Sequence, residues 1–139
     1  MRLRDVIVIL ATAIGVMVLN VAISVGVVWV YSTIVEPGRS ASHYEAFAVT
    51  AAPASSVVAG IPLMLVAGFL LSRGRTARAA LSAAGAMAVL YVVADVAIVL
   101  AADSGRHVWA SEALSYSTKL LSALAGATLR ACRPQASSA

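Results

Sequence analysis

Apolar blocks separated by short polar links run the length of the chain. They cover about residues 6–31, 47–71, 79–102 and 108–129. Crossing the hydrocarbon core takes roughly 20 apolar residues in a helix, so each block predicts a membrane span. The fourth is the least apolar, since it holds Glu112 and Lys119; the charges around it fit a fourth crossing. "MRLRD" ahead of the first block resembles the start of a secretory signal. Signal cores are usually about 7–15 residues long, so a retained anchor is expected. The pattern predicts an all-α, integral membrane, four-helix up-down-up-down bundle in which short links make sequential helices antiparallel neighbours. One transmembrane domain is expected over 1–129, with a flexible tail at 130–139.

Composition supports lipid as the solvent. Of 139 residues, 61% are hydrophobic and 12% charged, against about a quarter charged in a soluble domain. The formal charge of +4 would suit nucleic acid, but its placement argues otherwise. Arg2, Arg4, Arg73, Arg75, Arg78, Arg130 and Arg133 fall on one side of the four spans, and only Arg39 and Arg106 on the other. Such a bias marks the cytoplasmic side. Both termini are therefore expected in the cytoplasm of a multi-pass protein of the cell (inner) membrane. The compact, Ala- and Arg-rich chain reads as bacterial. The single cysteine, Cys132, excludes an internal disulfide, a CxxC redox pair and a thiolate zinc site, and with them the quinone-linked thiol oxidoreductases. No cofactor is implied.

The links and spans carry further detail. Ser32 to Ala46 reads as a fifteen-residue outer loop with a turn at Pro37-Gly38; Tyr44 and Phe47 would seat the next helix at the interface. Asp103 to His107 forms a tight link, with Trp109 as the next anchor. Small residues must bring helices together in lipid. Gly60 and Gly68, the stripe Ala80, Ala84, Met87, Ala88 and Tyr91, and the stripe Ser115, Ser122 and Gly126 supply them. Surplus small faces would suit a homo-oligomer. Pro53 and Pro62 each free a carbonyl within the second span, and Ser55 and Ser56 stand near enough to serve as partners.

The candidate chemistry is a polar slab in the outer half of the membrane. Asn20, Ser55, Ser56, Tyr91, Asp95, Glu112, Ser115 and Lys119 all fall within it, while the cytoplasmic half is almost wholly apolar. Asp95 lies about 10 Å below the outer end of its span at the helical rise per residue. A charge at that depth costs several kcal/mol, roughly, unless it is paired or wetted. The long stem of Lys119 can snorkel outward, so an Asp95–Lys119 ion pair is expected, with Tyr91 and Asn20 as hydrogen-bonding neighbours and Glu112 competing for the lysine. Two functions follow from different classes. One is a channel or transporter for an ion or small polar solute with an outward-facing pocket; the other is a structural or accessory protein whose pair only fixes helix packing. An intramembrane enzyme ranks last, since no nucleophile–base pair or metal motif is present. His43 and His107 read as solvated loop residues, with a metal or a pH-sensitive gate as the alternatives.

Overall fold

A computed structural model of the chain describes residues 3–101 and 109–132. The elements are α1 (Leu3–Val30), running on into a π-helical turn at Tyr31–Val35, then α2 (Ala41–Leu71), α3 (Ala77–Ala101) and α4 (Trp109–Ala131). Helices satisfy every backbone group internally, which an apolar solvent demands. All four expected helices form, and their ends differ from expectation in an informative way. The link between α1 and α2 is residues 36–40 rather than a fifteen-residue loop. Ser32 and Thr33 look like loop residues, yet their hydroxyls donate back to the Trp29 carbonyl at 2.9 and 2.8 Å, which keeps them helical. The wide last turn closes with the Glu36 amide on the Tyr31 carbonyl at 2.9 Å. Gly38, at φ 80°, then reverses the chain as the Pro-Gly pair predicts. At the far end α4 continues through Ala131; residues 133–139 of the expected tail, and the Asp103–His107 link, lie outside the described residues.

The helices alternate in direction. Arg75, in the α2–α3 link, reaches Asp5 at the start of α1 with an N–O distance of 2.9 Å, so α1 and α2 are antiparallel. Arg130 near the end of α4 stands 5.2 Å from the ring centre of Phe69 near the end of α2, so these two run parallel. The neighbour relations depart from the expected one. α2 packs most extensively on α4, with α1 on its other side, and α2 and α3 sit across the diagonal despite their short link. Glycine explains the choice. A β-carbon on Gly68 would overlap the Ala123 backbone, and one on Gly126 would overlap the Leu65 carbonyl, so the α2 and α4 backbones touch where neither carries a side chain. In lipid this close packing replaces hydrophobic burial as the attraction between helices.

The core is apolar at the end that holds the termini: Ile9, Ala13, Met64, Ala67, Leu71, Ala83 and Met87 are buried there. The expected α3 stripe of Ala80, Ala84, Met87, Ala88 and Tyr91 is buried throughout. Outward, α1 exposes Ile7, Leu10, Ile14, Val18 and Leu19. So large an apolar exterior belongs in lipid rather than water. Leu3–Val35, Ala41–Leu71 and Ala77–Ala101 are each long and apolar enough to cross a membrane, which marks a multi-pass membrane protein. α4 is more polar and lies against α2 and α3.

Candidate functional site

One polar side chain from each helix converges inside the bundle. The Asn20 amide nitrogen of α1 donates to the Ser56 hydroxyl of α2 at 2.8 Å and to the Tyr91 hydroxyl of α3 at 2.9 Å. The Lys119 ammonium of α4 donates to the same two hydroxyls, at 2.9 and 3.2 Å. The result is a closed ring of four hydrogen bonds. Its members are deeply placed: Lys119 is 1% exposed and Asn20 4%. The lysine reaches the ring because its stem runs over Gly60, which has no side chain to obstruct it. A buried ammonium is expensive. Here the two hydroxyls, the faces of Tyr91 and Tyr116 with centres 5.1 and 6.0 Å away, and the field of Asp95 offset that cost.

The ring forms part of the floor of a cavity of about 990 Å³ that occupies the half of the bundle away from the termini. Val21, Val25, Val28, Val57 and Val99 give it aliphatic walls, and Trp29 and Leu114 also line it. Of the residues expected in a pocket, Asn20, Ser56, Asp95, Glu112, Ser115 and Lys119 line this space. Tyr91 does not line it; it is buried beside it, with its hydroxyl bonded to Asn20 and Lys119, which do. Ser55 does not line it: its hydroxyl donates to the Ala52 carbonyl at 3.0 Å and accepts from the Ser24 hydroxyl of α1 at 3.0 Å. The carbonyls freed by Pro53 and Pro62 belong to Val49 and Val58, so the hydrogen bonds of Ser55 and Ser56 do not go to them. Both serines serve contacts between helices.

The expected contact ion pair is not formed. No Asp95 oxygen comes within 4.0 Å of the Lys119 nitrogen; among the described residues such pairs are Glu36–Arg39, Glu36–His43 and Asp5–Arg75. The lysine stops at Ser56 and Tyr91, whose hydroxyls meet it before the carboxylate can. Asp95 instead acts on both Tyr116 and Lys119 through space. Tyr116, Ser24 and Thr118 line the cavity and were not singled out as pocket residues by the sequence reading. Tyr116 follows Glu112 by four residues, so it shares the helix face used to pick Glu112, Ser115 and Lys119; the tyrosine was legible by the same rule.

The end of the bundle where α1 turns into α2 carries its own cluster of side chains. Tyr31 stacks on Phe47 with ring centres 3.7 Å apart, and on His43 at 6.1 Å. His43 lies in the first turn of α2 rather than in a solvated loop, with Nε2 3.2 Å from the Tyr31 hydroxyl and 3.3 Å from Glu36. The Tyr44 hydroxyl donates to the Glu36 carbonyl at 2.8 Å and accepts from the Arg39 amide at 2.9 Å, which closes the link from inside. His107 lies outside the described residues. No cluster of three or more His, Cys, Asp or Glu side chains suited to a metal occurs among the described residues.

Comparison with protein-family models, with curated proteins and with solved structures finds no match for this chain.

Proposed function

We propose that this protein is a carrier of the inner membrane, with both termini in the cytoplasm and α4 as its fourth span, that receives a small polar solute from outside. One observation carries the reading. The cavity is lined by polar side chains from all four helices, Asn20, Ser56, Asp95 and Lys119 among them, while the buried apolar residues Ile9, Ala13, Met64, Ala67 and Met87 toward the other end of the bundle take no part in its lining. A pocket closed at one end suits binding and alternating access; a channel through the single chain would need polar groups along its whole length. The arginine bias places the termini inside and so turns the pocket outward.

Thiol labelling tests this directly. In a Cys132→Ser background, Ser115→Cys is expected to react with a membrane-impermeant maleimide added outside, and Ala67→Cys to stay unreactive. Labelling of Ser115→Cys only by a permeant reagent would overturn the outward pocket. The second reading, a bundle lock, draws support from the ring itself, which ties one side chain of every helix to its neighbours. Full transport or binding by a variant with the whole ring made apolar would favour the lock.

A further inference from the structure

The ring holds more protons than it uses. Lys119 brings three, Asn20 two, Ser56 and Tyr91 one each, while the four bonds of the ring consume four. Three remain whichever way the Asn20 amide is turned. In the orientation observed both Asn20 protons are used, so the surplus lies on Lys119, Ser56 and Tyr91, and the Asn20 Oδ1 atom is buried with no hydrogen-bond partner. The floor is thus a donor-rich pole with a positive charge. A second pole stands apart from it: the Asp95 carboxylate, half-buried, lining the cavity and beyond 4.0 Å from the lysine nitrogen. The two opposite charges do not touch; Glu112, which also lines the cavity, is engaged in an interaction of its own.

Resting on the outward-pocket reading, we propose that the cavity binds a small zwitterion with an apolar body, such as an aliphatic α-amino acid. Its anionic group takes the surplus protons of Lys119 and the Ser56 hydroxyl, both of which line the cavity, and its ammonium group sits on Asp95. Charge complementarity selects this class. A ligand carrying only a cation would face Lys119, and one carrying only an anion would face Asp95, each at the cost of a like-charge contact in a medium of low dielectric. Val25, Val28, Val57 and Val99 accept the hydrocarbon part. The same ammonium–anion pair also exists in an aminophospholipid headgroup, and the experiment separates the two sources.

Protein in phosphatidylglycerol nanodiscs, which supply no ammonium, is titrated calorimetrically with leucine, 3-methylbutylamine and 4-methylpentanoate. These probes share one hydrocarbon body. Leucine is expected to bind about tenfold or more tighter than either singly charged probe, since each pole is worth at least about 1.4 kcal/mol. Asp95→Asn is expected to turn the preference toward 4-methylpentanoate and Lys119→Met toward 3-methylbutylamine, a swap that a purely structural role would not produce. If Lys119→Met fails to fold, the Asp95→Asn swap still decides. Leucine binding lost in phosphatidylethanolamine nanodiscs identifies the lipid headgroup as the competing zwitterion and supports the same site. An amine or an acid that binds as tightly as leucine overturns the zwitterion. No binding of any probe, with Ser115→Cys still labelled from outside, overturns it too and leaves the pocket standing; no binding together with no labelling removes both.

Discussion

Lys119 and Gly60 fit together as stem and groove: a β-carbon placed on Gly60 would stand 2.5 Å from Cε of the lysine. The glycine therefore positions a charge that belongs to another helix. Gly60→Ala is expected to expel the stem and break the lysine's bonds to Ser56 and Tyr91. The cost to stability should stay modest. Overpacking costs about 1–3 kcal/mol, and replacing a helical glycine by alanine returns up to about 1. The unfolding midpoint in detergent should fall by less than about 2 kcal/mol in equivalent free energy, while ligand binding is lost.

A sharper penalty is expected where backbone meets backbone. At Gly68 and Gly126 the obstructing atoms are the main chain of the opposite helix, which has no rotamer to yield. Gly68→Ala and Gly126→Ala should each cost about 2–4 kcal/mol, as when a packed interface is forced apart. Gly15 and Gly26 of α1 have no atom within 4 Å of an added β-carbon. Alanine there should be neutral or should stabilise by up to about 1 kcal/mol. Equal losses at all four sites would show that helix α2–α4 contact does not govern the fold.

The residues that were legible in the sequence share a reason. Helix number, the Pro37-Gly38 turn and the α3 stripe rest on local periodicity and on backbone limits, and both act wherever the helices end up. Asn20, Ser56 and Lys119 were found because polar groups inside apolar runs must seek one another. Which of them would pair was not legible. Tyr91 and Ser56 intercept Lys119 only because Gly68 and Gly126 draw α2 against α4, and that choice of neighbour over the short-linked α3 depends on three-dimensional fit. The short outer link was hidden for a different reason: Ser32 and Thr33 look like loop residues until their hydroxyls turn back onto the helix.

The single cysteine offers a check on topology that needs no new residue. Cys132 is exposed just past the end of α4. In inverted vesicles an impermeant maleimide should label it, and in sealed right-side-out vesicles it should not. Ser42→Cys in a Cys132→Ser background should give the reverse, since Ser42 is exposed at the opposite end of the bundle. Labelling of both thiols from the same side would mean that α4 does not cross.

The ring predicts an order of mutational cost that runs against the usual ranking of charge over hydroxyl. Tyr91→Phe removes the acceptor shared by Asn20 and Lys119 and leaves a buried ammonium with one hydroxyl, so it should cost about 2–3 kcal/mol, the range for hydrogen bonds to charged groups. Lys119→Met keeps a similar volume and removes the charge that needs solvating. Ser56 and Tyr91 still accept from Asn20 in that variant. Lys119 is in no contact ion pair, so its loss strands no directly bonded carboxylate, and removal of the desolvation penalty of a buried ammonium should hold the cost to about 1 kcal/mol or less. The double variant should then be no less stable than Tyr91→Phe alone, because the charge that made the missing hydroxyl costly is gone. Unfolding midpoints of the three variants, measured in the same detergent, check the order. If Lys119→Met is the most damaging of the three, the lysine is stabilising the bundle through Asp95 rather than spending stability on the ring.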